Sequence, residues 1–374
     1  MSQVKSLSIS GFKSIRELKD LPLSSLNVLI GANGAGKSNF LSFFRFMDNL
    51  IERRLQLFVQ LQGGPDALLH FGRKTTERLR AEFFFDSDSY AFELIPTDDN
   101  QLVFWQESFR SKESVPEIHW ETIQLFDDDD PGLSLSMGSV HPESEFRQAK
   151  EFFSSQVRKS VRNWRIWHFC DTGETARMKR IHPTNDNLLL KTDGANLAAY
   201  LRMLRREHEA AYQEIINTIR LVAPFFGDFV ERPGKPEHIE LEWTQAGNPD
   251  TPFKAHILSD GTLRFMCLAT LLLQPVELLP ATILIDEPEL GLHPYALSVL
   301  ADIFRQVSEE RQLIVSTQSV ELVNELEPED IIVVDQENGA STFQKPDREE
   351  LAGWLEEYGL GELWQRNILD GGMP

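Results

Sequence analysis

Cysteine is almost missing from this chain: Cys170 and Cys267 are the only two in 374 residues. Two cannot make the disulfide framework that staples small secreted folds. Also missing are a secretory leader and any apolar run of 18 residues, the length a membrane-spanning helix needs. The chain is therefore expected in the cytoplasm, with no membrane partner. Positive charge is scarce as well: 37 Lys and Arg stand against 58 Asp and Glu, a net charge of −21. Such a balance excludes a surface that coats nucleic acid throughout, because backbone binding is driven by Lys and Arg displacing counterions. No internal repeat and no low-complexity linker occurs, and no heptad pattern outlasts one helix, so no long coiled-coil arm is expected. What remains, 41% hydrophobic residues over this length, is enough to bury a large core.

Two stretches carry chemistry. The first, Gly31-Ala32-Asn33-Gly34-Ala35-Gly36-Lys37-Ser38, satisfies the pattern GxxxxGK[ST]. Its glycines let backbone N–H groups wrap a triphosphate, its Lys reaches the β- and γ-phosphates, and its Ser ligates Mg²⁺. Leu26 to Ile30 reads as a short buried strand and Ser38 onward as an apolar helix, which places the loop at a helix N-terminus. The phosphate-contacting set is thus Asn33, Gly34, Ala35, Gly36, Lys37 and Ser38. The second stretch, Thr282-Ile283-Leu284-Ile285-Asp286-Glu287, reads as a buried parallel strand that delivers two carboxylates to its C-terminal edge. Asp286 would hold Mg²⁺ through water and Ser38, while Glu287 would orient or deprotonate an attacking water. Ahead of that strand, Ser259 reads as the N-cap of an apolar helix from Leu263 to Leu273, with Gly261 at its mouth. The pair makes a second anion site, complementary to a γ-phosphate bound by another copy of the chain.

Together these residues resemble a known family. Ser259-Asp260-Gly261-Thr262 resembles the signature loop of ABC-type ATPases, and Asp286-Glu287-Pro288-Glu289-Leu290-Gly291-Leu292-His293-Pro294 resembles the Walker B and D-loop of the branch containing SMC, RecF and OLD-type ATPases. Leu7 to Ile15 is similar to that branch's first strand, and Asn39 is its customary residue after the phosphate loop. The resemblance implies an α/β P-loop ABC-type ATPase head with an antiparallel β lobe and an inserted helical lobe. It further implies ATP and Mg²⁺ as cofactors and a homodimer closed through the ATP sites. The switch position after the next strand, usually His, is Gln318 here. Gln can bond a γ-phosphate but cannot carry charge, so slow turnover is expected. No nuclease carboxylate cluster follows the ATPase core, which implies a separate effector protein, possibly a nuclease, in DNA repair or antiviral defence. A nucleotide-gated scaffold with little hydrolysis and the ATPase subunit of a transporter are the alternative readings.

The rest of the chain reads more coarsely. Residues 1–374 are expected to form one composite ATPase domain: 1–135 as the P-loop and β lobe, 136–255 as the inserted helical and β lobe, 256–345 as the signature, Walker B and switch segment, and 346–374 as an acidic tail. Alternating runs at Leu79–Phe85, Tyr90–Ile95, Leu102–Trp105 and Glu117–Phe126 suggest strands, and one long helix is expected to run from the phosphate loop through about Gln60. Further helices are expected at Glu145–Val161 and Asn196–Leu221. Asp127-Asp128-Asp129-Asp130 reads as a solvated loop. Between Arg158 and Arg180, seven basic residues face two acids, with Trp164, Trp167 and Phe169 interleaved. That strip could hold DNA or RNA, or be a half-buried strand with solvated ends. Fourteen acids against three bases from Glu321 onward suit protein docking rather than DNA. Phe12 and Lys13 could flank the base, although an apolar residue at a strand end is more often core.

Overall fold

The computed structural model describes residues 3–86, 88–111, 133–137, 164–234 and 236–369. The chain opens with strands Ser6–Phe12 (β1), Ile15–Pro22 (β2) and Leu26–Ile30 (β3), then helices Lys37–Ile51 (α1) and Leu55–Leu61 (α2). Strands Leu79–Phe84 (β4), Asp88–Pro96 (β5), Leu102–Ser111 (β6) and Leu133–Met137 (β7) follow. The middle brings Ile166–Trp167 (β8), His182–Pro183 (β9), helices Leu197–Glu207 (α3) and Glu209–Val222 (α4), and strands Phe226–Phe229 (β10), His238–Ile239 (β11), Glu242–Gln245 (β12) and Asn248–Lys254 (β13). After these come Asp260–Leu272 (α5), Thr282–Asp286 (β14), Pro294–Ser308 (α6), Gln312–Ser316 (β15) and Val320–Asn324 (α7). Last are Ile331–Glu337 (β16), Ala340–Gln344 (β17), Arg348–Leu355 (α8) and Leu360–Gln365 (α9).

Two compact units share these elements: Met1–Arg165 with Pro280–Ile283 and Asp330–Pro346, and Ile166–Leu279 with Leu284–Glu329 and Asp347–Pro374. In the first, an antiparallel sheet runs β2-β1-β4-β5-β6-β7. The period-two pattern of β4 turns Leu79, Ala81 and Phe83 inward, and the register sets Ile9 opposite Ala81 and Phe92 opposite Ala81 from the other side. Against that face lies α1, whose Phe43 meets Phe12 edge-on at 5.1 Å and Phe83 at 5.9 Å. Offset and edge-to-face geometries of this kind add to the area term of aromatic burial. Also in this unit, β3 is buried at all five positions and lies parallel to β16, with Val28 opposite Ile331 and Ile30 opposite Val333, while β17 pairs antiparallel with β16. A strand buried on both faces reads as an unbroken apolar run, which is why Leu26 to Ile30 was legible.

The second unit is built round α5. Every residue from Leu263 to Leu272 is buried, as expected of a helix that is apolar all round. Beside it lie α4 and α6. Here β14 is parallel to β8, setting Leu284 opposite Ile166 and Ile285 opposite Trp167. A small antiparallel sheet, β10-β12-β13, completes this part.

Two long helices of the sequence pattern are each divided. The helix expected to reach Gln60 stops at Ile51, because Arg53 takes a left-handed conformation (φ 58°) before α2 begins. The helix expected over Asn196–Leu221 breaks at His208 (φ −140°, ψ 55°) into α3 and α4. Neither break carries glycine or proline, so periodicity ran straight through both. The strand at Glu117–Phe126, the acidic loop from Asp127 and the helix at Glu145–Val161 lie outside the described residues.

Candidate functional site

The phosphate-loop pattern sits in the first unit, where β3 ends and α1 starts. Gly36 is the N-cap of α1 with φ 120° and no side-chain cap, so the loop end of the helix keeps its N–H groups for another acceptor. A Cβ at Gly36 would lie 2.0 Å from Ser341 Oγ, which only glycine avoids. Lys37 is 5% exposed, and its ammonium donates to Gly31 O (2.6 Å) and Ala32 O (3.1 Å). Asn33, Gly34 and Ser38 are exposed while Ala35 is buried. Asn39 turns its amide inward, donating to Ser14 Oγ at 2.8 Å. Phe12 is wholly buried against Phe43 and Phe46, so it is core and has no face for a base. Lys13 reaches Ser42 Oγ at 3.1 Å, and burial with nearby Arg45 pulls its pKa down.

The carboxylate end belongs to the second unit. Asp286 closes β14, and its Oδ1 accepts from Ser316 Oγ at the end of β15. Glu287 has a left-handed backbone (φ 48°), a conformation that β-carbon sterics make uncommon and that concentrates at functional sites. Its N–H donates to Ser316 O (3.0 Å), and its Oε1 accepts from Gln318 Nε2. Gln318 N in turn donates to Glu289 Oε1 at 2.7 Å, and the Thr317 hydroxyl bonds the same carboxyl. The other oxygen of Glu289 is buried without a partner among the described residues. Burial raises the Glu289 pKa above the usual range, with Glu287 adding to the shift, against the lowering effect of its hydrogen bonds. Asp286, Glu287 and Gln318 are thus brought together, joined by Ser316, Thr317 and Glu289. These three carried no motif signal of their own, although Glu289 lies inside the Asp-Glu-Pro-Glu run.

Ser259 caps α5 as its sequence suggests, accepting from Thr262 N at 3.2 Å. Gly261 packs on the loop that follows Glu287: a Cβ there would stand 2.0 Å from Gly291 O. Arg264, one turn into the helix, donates to Phe169 O (2.8 Å) and Cys170 O (3.1 Å), tying the signature helix to the segment after β8. The basic strip is changed by the fold. Trp164, Trp167 and Phe169 are buried at 1%, 4% and 3% exposure, so none of these three offers a face for base stacking. Arg177 pairs with Asp193 (2.9 Å) and Lys179 with Asp260 (3.6 Å). Arg158, Lys159 and Arg162 lie outside the described residues.

Each donor set by itself fits part of the expected cofactors: loop amides with one ammonium suit phosphate in the first unit, and the Asp286 carboxylate in the second is an oxygen ligand of the kind Mg²⁺ takes. No described helix is long and apolar enough to cross a membrane.

Known proteins share the fold. Over 94% of the chain and 99% of the solved structure, the fold is similar to an SMC head bound to the C-terminal winged-helix domain of ScpA (TM-score 0.59, 17% identity). It is also similar to the SMC head of Pyrococcus furiosus bound to the ScpA C-terminal domain, over 96% of this chain and 99% of that one (TM-score 0.58, 17% identity). The SMC head of Pyrococcus yayanosii gives 0.58 at 13% identity, over 96% of this chain and 99% of that one. Identities this low show a shared fold: the mixed α/β head of ABC-type ATPases. A stretch of 104 residues is 38% identical to urease accessory protein 2 of Cryptococcus neoformans var. grubii, covering 27% of this chain and 8% of that protein's length. The family described as AAA domain, putative AbiEii toxin, Type IV TA system matches residues 26–324. The chain belongs to that family, and its fold is that of an SMC ATPase head.

Proposed function

We propose that this chain is a Mg²⁺-ATP-binding and hydrolysing ATPase that closes head to head with a second copy around two ATP and controls a separate effector protein. Lys37 and the loop from Asn33 to Ser38 would hold the β- and γ-phosphates, with Asn39 bracing the loop from behind, and Ser38 and Asp286 would hold Mg²⁺. Mg²⁺ supplies neutralising charge on the phosphates. Glu287 positions and deprotonates water, Gln318 bonds the γ-phosphate as a weakened switch, and Ser259 with Gly261 of the second copy completes each site. The observation that carries this reading is the loop itself: an uncapped helix start behind a buried strand, with the one lysine folded over it. ATP titration in the presence of Mg²⁺ tests it. Binding by the wild type that Lys37→Ala abolishes supports the assignment, and equal affinity in both refutes it.

The effector is expected to be a protein, since SMC heads of this fold have been solved bound to ScpA. The family description names a putative toxin of a type IV toxin–antitoxin system; the setting in antiviral defence or DNA repair, with a nuclease among the candidate effectors, is our proposal. A second reading has an observation of its own: Gln318 is hydrogen-bonded to Glu287. A base whose oxygen is already engaged turns over slowly, which suits a nucleotide-gated scaffold. Comparing ATP affinity with the turnover rate separates the two readings.

A further inference from the structure

Behind the phosphate loop lies a row of side chains from three distant parts of the sequence. Asn39 Nδ2 donates to Ser14 Oγ (2.8 Å), Ser14 Oγ and Ser341 Oγ are 2.7 Å apart, and Ser341 Oγ is 2.5 Å from Ala35 O. Ser341 is 2% exposed and comes from β17, and its backbone N–H also donates to Ser14 O at 2.7 Å. A hydroxyl has one proton, and a side-chain amide nitrogen can only donate. Ala35 O can only accept, so the Ser341 proton goes to it. Ser14 then accepts from Asn39 and donates its own O–H to Ser341, so the hydrogen bonds run in one direction, from Asn39 to Ala35.

We propose that Asn39, Ser14 and Ser341 act as a hydrogen-bonded relay that positions the phosphate loop for an anionic polyphosphate ligand, with Ser341 as the positioning residue that sets the Ala35–Gly36 peptide. The inference rests on the reading of the loop as the ATP site. Because a peptide unit is planar and trans, its C=O and N–H point opposite ways. Holding Ala35 C=O on Ser341 therefore aims the Gly36 N–H away from β17, the direction a cradle of loop amides needs. Gly36 itself shows how close the fit is, since a Cβ would overlap both Ser341 Oγ (2.0 Å) and Ser14 Oγ (2.9 Å). The hydroxyl occupies the place a larger residue would take. Preorganisation of this kind improves affinity by removing the cost of ordering the loop at the moment of binding.

A double-mutant cycle on the full chain tests the relay, with calorimetric titration of ATP and Mg²⁺ into wild type, Ser341→Ala, Ser14→Ala and the double variant. Thermal unfolding without nucleotide runs in parallel. Ser341→Ala is expected to weaken ATP binding about tenfold, and the double variant no more than about twofold beyond it, because breaking one chain twice costs little extra. Asn39→Ala, at the far end, is expected to weaken binding less than Ser341→Ala, and with Ser14→Ala it carries the test should Ser341→Ala not fold. A merely structural serine would lower the unfolding temperature and leave ATP affinity unchanged, which overturns the proposal. So does a double variant whose loss is the product of the two single losses. Failure of the wild type to bind ATP brings down the ATP reading first and the relay with it. Binding by wild type with indifferent variants removes the relay alone.

Discussion

The two ends of the proposed site are held in opposite ways. The phosphate loop is fixed from behind by neutral side chains, Ser341, Ser14 and Asn39, while the Lys37 ammonium rests on loop carbonyls. The carboxylate end is fixed by acids engaged with one another's neighbours: Asp286 with Ser316, Glu287 with Gln318, and Glu289 with the Gln318 backbone. A loop held from behind by Ser341 and Ser14 is set in shape before a ligand arrives. Asp286 and Glu287 each already accept one hydrogen bond, so Ser316 and Gln318 set how these carboxylates are aimed. Affinity is therefore expected to reside at the first end and rate control at the second.

Variants should divide along that line. The largest effect belongs to Lys37→Ala, which removes the side-chain cation from the phosphates and is expected to weaken ATP binding by more than about a hundredfold, read by titration. Glu287→Gln keeps shape and removes the base; ATP affinity is expected to hold while steady-state turnover falls at least about a hundredfold. A parallel loss of affinity would merge the two ends and contradict the division. Gln318→His should act the other way. An imidazole can carry charge and bond the γ-phosphate more strongly as charge develops, so turnover is expected to rise about tenfold with little change in affinity. An unchanged or lower rate removes Gln318 from the switch role.

The smallest effect concerns Glu289. Burial raises its pKa above 4.5 in the folded chain. Between the unfolded and folded values the native state therefore binds more proton than the unfolded state, and this group's contribution to stability falls as pH rises through that interval. Glu289→Gln lacks the titration. Its unfolding temperature relative to wild type should climb as pH increases above 4.5, and a difference that stays constant with pH would show that Glu289 is not held there as argued.

Legibility in the sequence followed the same boundary between local and distant contacts. The strand from Leu26 to Ile30, the Ser259 cap and the buried helix after it were readable, because each is set by residues adjacent in the chain. The Asp286-Glu287 strand end was readable for the same reason. Ser341 was not, since its partners Ser14 and Ala35 lie more than 300 residues away and an isolated serine in a strand has no pattern. The helix breaks at Arg53 and His208 were invisible for want of glycine or proline. The aromatics among the basic residues near Arg165 suggested a stacking surface, and packing decided otherwise: Trp164 is wedged against Phe44 and Phe83.

Light scattering of the Glu287→Gln chain in the presence of ATP and Mg²⁺ tests the central claim, that the phosphate loop of one copy is closed by the Ser259 loop of another. The account predicts a particle of twice the monomer mass that returns to monomer when Ser259→Arg is added to the same chain. A monomer mass with nucleotide demonstrably bound would contradict it.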